Sequence, residues 1–247
     1  MMQQVPETGK GTMPHPSLGF VGSLALILLE TAALTNGRVI SEEQYNAHTV
    51  AQLPPVLQNP RAFLEDFEAR YTASSSMEPT LAVGDMFIVD KHTYRSVSPQ
   101  RADIVIYLLP PQLSASPDNS NAAVHRIVGL PGEVVEVRDG QVLVNEEPLD
   151  EPYLARSASI DYQYGPEIIP QDAYFVLGDN RNNAFDSHIW GMLPGELILG
   201  QAIGIYCPVE RQNALDSDVE GDLNRETFEQ IVDFFHTNPT LCPIQDF

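Results

Sequence analysis

The sequence predicts a mainly β protein with helical segments toward its two ends, and three observations carry that reading. Six short runs, MFIVDK, ADIVIYLL, AVHRIVGL, EVVEV, QVLVN and AYFVLGD, are rich in Val, Ile and Tyr and are bounded by Gly, Pro, Asn and Asp. Asp139-Gly140, inside VRDGQVLV, suits a type I′ hairpin turn, which needs positive φ at both central residues. Helical periodicity is confined to the flanks: Phe228, Ile231, Val232 and Phe235 recur at i, i+3, i+4 and i+7, with Asp and Glu on the other faces.

In chain order, the 247 residues divide into four parts: a tail with an apolar segment (1–40), a connector (41–72), a β domain (73–208) and an acidic extension carrying an amphipathic helix (209–247). In the tail, Leu18 to Leu29 is uninterrupted by charge until Glu30. That run is shorter than the roughly 20 residues of a spanning helix, and Lys10 alone precedes it as a weak positive n-region. A single membrane anchor, a cleaved signal and a soluble or peripheral helix all stay open. In the connector, Ser41 and Gln44 fit a capping box. LPPVLQNP stops any helix, and RAFLEDFEARY places Phe63, Phe67 and Tyr71 on one helical face. Residues 109–123 read as a polar, Pro-containing surface loop. The C-terminal helix either packs on its own domain or docks a partner.

Lys+Arg 13 against Asp+Glu 34 gives a formal charge of −21. Such a surface repels nucleic-acid phosphates, so no nucleic acid is expected as a partner. The excess acid serves solubility, a saline habitat or docking onto a basic protein. Cys207 and Cys242 have no Cys-x-x-Cys spacing, which argues against a zinc or thioredoxin-like site; they are either a pair or two free thiols. P-loop, dinucleotide-binding, His-Glu-x-x-His and EF-hand signatures are all missing, so neither cofactor nor metal is expected.

Two polar stretches remain. GDNRNNAFD (178–186) reads as a tight loop in which Asp179, Asn180 and Arg181 fix backbone and ion pairs. TASSSMEPTL (72–81) sets three serines before Met77 and Pro79, so the chain there is extended and turning. A serine on such a loop is accessible, and neighbouring hydroxyls and amides can supply an oxyanion hole.

Together with VHRIVGLPGE and RADIVIYLLPP, these stretches resemble, in order, four blocks of the type I signal peptidases over residues 74–194. Those are membrane-bound serine endopeptidases that remove signal peptides from exported preproteins. The resemblance implies an antiparallel β-sheet catalytic core, an inserted cap, an apolar surface toward the membrane, and a catalytic domain on the extracytoplasmic side. Its substrates would be preprotein signal peptides with small residues at −1 and −3. Carried over position by position, Ser76 matches the nucleophile, and Ser74 with the Ser76 amide matches the oxyanion hole. His125 stands at the general-base position with Arg126 beside it, while Asp179, Arg181 and Asp186 match supporting residues.

Ala102 stands where the family usually has Gly, and two further departures concern the base itself. Bacterial members usually carry Lys where this chain has His125, and a supporting Ser where it has Ala184. The lysine mechanism needs an amine of depressed pKa; an imidazole titrates near neutrality and accepts a proton without that device. One reading is a Ser76–His125 dyad, with Asp186 or Asp179 orienting the ring and an acidic limb of activity near pH ~6.5. The other is a catalytically inactive scaffold or interaction subunit of a membrane-associated complex, meeting its partner through the acidic C-terminal helix. His188, in DSHIWG, is expected to be a surface or ion-pairing residue.

Overall fold

A computed structural model describes residues 65–113, 122–154, 159–215, 223–237 and 242. The expectations for residues 18–35, for the capping box at 41–44 and for most of the 109–123 loop lie outside them.

The elements in order are β1 (Phe67–Tyr71), β2 (Met86–Asp90), β3 (Ile104–Leu108), β4 (Ala122–Gly129), β5 (Val134–Arg138), β6 (Gln141–Val144), β7 (Glu147–Pro148), β8 (Tyr164–Ile168), β9 (Ala173–Leu177), α1 (Ser187–Trp190), β10 (Leu193–Pro194), β11 (Ile198–Cys207), β12 (Asn213–Ala214) and α2 (Leu223–Thr237). They form two antiparallel sheets, one ordered β1-β2-β11-β3-β4-β9-β10 with β12 on β11, the other β7-β6-β5-β8. The mainly β class follows directly, and all six expected strands are present. Asp139 and Gly140 take φ of 53° and 78° between β5 and β6, the positive pair a type I′ hairpin needs.

The large sheet is buried on both faces, which is why β3 reads as a continuous apolar run. Ile104 and Ile106 pack with Met77, Leu81, Phe87 and Val89 on one side. Val105 and Tyr107 pack with Ile127, Tyr174, Val176 and Leu193 on the other. In the β3–β4 register Val105 faces His125, and Tyr107 faces Ala123. Tyr107 and His125 are therefore diagonal neighbours on one face, within reach of long side chains.

One stretch departs from the helical expectation. Phe67 and Tyr71 are the ends of β1, which pairs with β2 from Phe67↔Asp90 to Tyr71↔Met86; Phe63 lies outside the described residues. A spacing of four residues keeps two side chains on one face in a helix and in a strand alike. Here the unsatisfied edge of β2 decides between them.

The C-terminal helix packs on its own domain. Phe228, Ile231 and Phe235 are buried with Phe67, Ile88, Ile203 and Tyr206. Gly204 permits this approach, since a Cβ there would sit 2.1 Å from the Phe228 ring. Each such aromatic or aliphatic side chain stabilises the fold by about 1.5–3 kcal/mol on burial. A disulfide joins Cys207, at the end of β11, to Cys242 beyond α2. The apolar stripe of α2 is thus consumed internally, which leaves its acidic face as the surface open to a partner.

Candidate active site

Ser75–Met77 forms one turn of 3-10 helix, entered from an extended Ser74 at φ −136°. The fully buried Met77 and Leu81 anchor the turn from below. From above, the 178–186 loop grips it. Asn180 N donates to the Ser76 carbonyl (3.0 Å), and Asn180 Nδ2 donates to the Ser75 carbonyl (3.0 Å). Asn183 Nδ2 donates to Ser75 Oγ (2.8 Å). Gly178 completes the contact: a Cβ there would lie 2.5 Å from both the Ser76 carbonyl oxygen and the Ala184 Cβ. Ser74 Oγ and Ser76 Oγ are 3.1 Å apart, so the two hydroxyls expected to act together do lie together.

The loop is itself held by charge. Arg126 donates from Nε to Asp179 Oδ1 (2.9 Å) and from Nη2 to Asp179 Oδ2 (2.7 Å). Thr80 Oγ1 donates to the same Asp179 Oδ2 at 2.5 Å. Arg126 also donates to the Ala102 carbonyl (2.9 Å) and lies 3.9 Å over the Tyr153 ring. Arg181 forks onto both Glu151 oxygens (2.8 and 2.5 Å) while its Nε donates to the Gly178 carbonyl (3.0 Å). This fork–fork pair is the geometry Arg favours for carboxylates.

Asp186 caps α1. Its Oδ2 accepts from Gly178 N (2.9 Å), and its Oδ1 accepts from His188 N (3.0 Å) and lies 2.6 Å from His188 Nδ1. The His188 ring stacks on Tyr162 at 3.8 Å. His188 is therefore an ion-pairing residue, though a half-buried rather than a surface one.

His125 is buried in β4 next to Arg126, and its ring is handled differently from the expectation. Both carboxylates named as orienters are engaged elsewhere, Asp179 by Arg126 and Thr80, Asp186 by Gly178 and His188. The ring instead meets the Tyr107 hydroxyl, 2.7 Å from Nδ1. Among the described residues no hydrogen bond joins His125 to Ser76, and Nε2 has no partner. Burial lowers the His125 pKa to about 4, against the pull of Asp186 and Asp179, with His188 adding to the fall. The ring is neutral at neutral pH and able to accept a proton, but it is a weaker base than free imidazole.

Tyr107 and Asn183 escaped the sequence reading. A tyrosine inside an apolar strand reads as core, and its place against His125 follows from strand register alone. Ala184 is buried against Gly178 and has no hydroxyl to offer a base. Among the described residues no cluster of three or more His, Cys, Asp or Glu is placed to hold a metal ion.

The antiparallel β core and the pinned serine turn fit a serine endopeptidase. Comparison with known proteins agrees. The model of the family described as signal peptidase, peptidase S26, matches residues 60–207. A protein named probable signal peptidase I-2 from Synechocystis sp. is 47% identical over 153 residues, covering 62% of this chain and 69% of its own. Signal peptidase I of Leptolyngbya laminosa is 46% identical over 149 residues, covering 60% and 72% respectively. Thylakoidal processing peptidase 1 of Arabidopsis thaliana is 40% identical over 145 residues, covering 57% of this chain and 42% of its own. The chain belongs to the signal peptidase family, peptidase S26.

Proposed function

We propose that this chain removes signal peptides from exported preproteins by acyl transfer, with Ser76 and His125 as its working pair. Ser76 Oγ attacks the scissile carbonyl while His125 Nε2 accepts its proton and then delivers it to the leaving amine. Ser74 Oγ and the Ser76 amide stabilise the oxyanion. Water, deprotonated by the same nitrogen, then hydrolyses the acyl-enzyme. Arg126, Asp179, Arg181 and Asp186 hold the frame and touch neither reacting atom.

The observation that carries this reading is the grip of the 178–186 loop on the Ser75–Met77 turn, tied through Asp179 to Arg126, the neighbour of His125. Ser76 Oγ rests against Ser74 in the free site, and its turn toward His125 belongs to substrate binding, as loose hydrogen bonds in unliganded catalytic sites commonly do. The membrane surface is proposed as the working location, with the catalytic domain on its extracytoplasmic side; among the described residues no helix is long and apolar enough to cross a membrane.

Purified chain is expected to cleave a preprotein with small residues at −1 and −3, and to lose that activity in Ser76→Ala and in His125→Ala. Cleavage unchanged in both variants would sink the mechanism. A second reading, an inactive subunit of a membrane-associated complex, draws on the engagement of His125 by Tyr107 rather than Ser76. It requires no turnover by the isolated chain and a stable partner retained by Ser76→Ala, held through the acidic face of α2.

A further inference from the structure

One hydrogen bond decides which nitrogen of the base carries a proton. Tyr107 is fully buried in β3, and its hydroxyl, 2.7 Å from His125 Nδ1, has no second partner among the described residues. The phenol keeps its proton, because burial, aided by Asp186, drives its pKa far above the ordinary value. A neutral tyrosine has one proton to donate and lone pairs to accept with.

A neutral imidazole can meet that hydroxyl in two ways. In the first, Tyr107 O–H donates to a bare Nδ1, and the ring's single proton sits on Nε2. Every buried group on this side is then satisfied. In the second, Nδ1–H donates to the Tyr107 oxygen, and the hydroxyl proton is left in the core without an acceptor, a handicap of roughly tenfold to a hundredfold in population. A carboxylate accepting from Nδ1–H would reverse this preference, as in Ser-His-Asp triads. Asp186 and Asp179, which reach the ring through space, are both spent on other donors, and His188 is paired with Asp186.

We propose that Tyr107 is a positioning residue that holds His125 in the Nε2–H tautomer between turnovers, so that the proton-accepting Nδ1–H tautomer is the minor form of the free site. The two forms carry the same number of protons, with one moved from Nε2 to Nδ1. The idea rests on His125 being the base, yet its sign runs against simple expectation, since the one polar partner of the ring among the described residues restrains it.

Nitrogen-15 NMR of the histidine rings in the unaltered full chain at pH 7 tests it, with the His125 resonances identified by their loss in His125→Gln. A bare Nδ1 and a protonated Nε2 are expected; a protonated Nδ1 overturns the inference. Tyr107→Phe is then expected to even out the two tautomers and to raise kcat of preprotein cleavage roughly five- to fiftyfold at unchanged KM, from the lost donor. A fall in kcat overturns the inference, because it makes the tyrosine an aid to catalysis. The ring spectrum reads the tautomer whether or not the site turns over. Its failure sinks this inference alone, whereas cleavage that ignores His125→Ala sinks the reading beneath it.

Discussion

Arg126 and His125 are adjacent in β4 and point to opposite faces of the same strand, and the protein treats them very differently. Arg126 has a bidentate carboxylate, a hydroxyl, a carbonyl and an aromatic face. His125 has one phenol. The frame that positions the serine turn is over-determined, whereas His125, the proposed base, is held at a single ring atom among the described residues. Under the proposal, the chemistry at the base position can be exchanged while the frame persists, because none of the frame's hydrogen bonds runs through that side chain.

The largest expected effect lies on the Arg126 side. Asp179→Ala leaves a buried guanidinium without its partner, which costs about 3–5 kcal/mol. Urea unfolding should show a lowered midpoint of that size. A loss below about 1 kcal/mol, the scale of an exposed pair, would mean that solvent reaches Arg126.

The His125 side should answer in activity rather than stability. His125→Lys places an amine where Ala184 offers no hydroxyl, and kcat for preprotein cleavage is expected to fall at least a hundredfold, the lower range for losing a general base. His125→Lys combined with Ala184→Ser should recover part of that loss. If the double variant is no better than the single one, the base position is not exchangeable in this frame.

A smaller effect is a pH dependence of stability. In the unfolded chain His125 has its ordinary pKa of 6.5, and in the folded chain about 4, so the unfolded state binds more protons in between. Its contribution is fully present above pH 6.5 and is lost as pH falls through that window, with a slope of at most about 1.4 kcal/mol per pH unit. Denaturation curves of His125→Gln should flatten by that amount; an unchanged slope would place the ring in water. Smallest is Asn183→Ala, which removes one exposed hydrogen bond to Ser75 and is expected to cost about 1 kcal/mol or less. A much larger loss would make the serine turn dependent on that single contact.

Much of this was legible before the fold was known. The six strands, the Asp139-Gly140 hairpin and the α2 stripe depend on local chemistry, and local chemistry is what a sequence displays. β11 is not legible although it lies between β2 and β3 in the large sheet, because Gly200, Gln201 and Gly204 break its apolar pattern, the two glycines where β2 and Phe228 approach closely. β1 reads as helix in the sequence because a spacing of four suits both structures. Ser74, Ser76, Asp179, Arg181 and Arg126, the residues expected at the site, lie around or behind the serine turn. The Tyr107 contact with His125 is not legible in the sequence, since the carboxylates nearest in motif are consumed by Arg126 and His188, and Tyr107 reaches the ring only through strand register.

The pH–rate profile of kcat/KM for preprotein cleavage by the full chain tests the central claim most directly. A neutral His125 acting as base puts the acidic limb near pH 4, the value set by burial, rather than at the 6.5 of free imidazole, and His125→Ala removes the activity that defines it. A limb well above neutrality, or a profile and rate that His125→Ala leaves intact, would contradict the account.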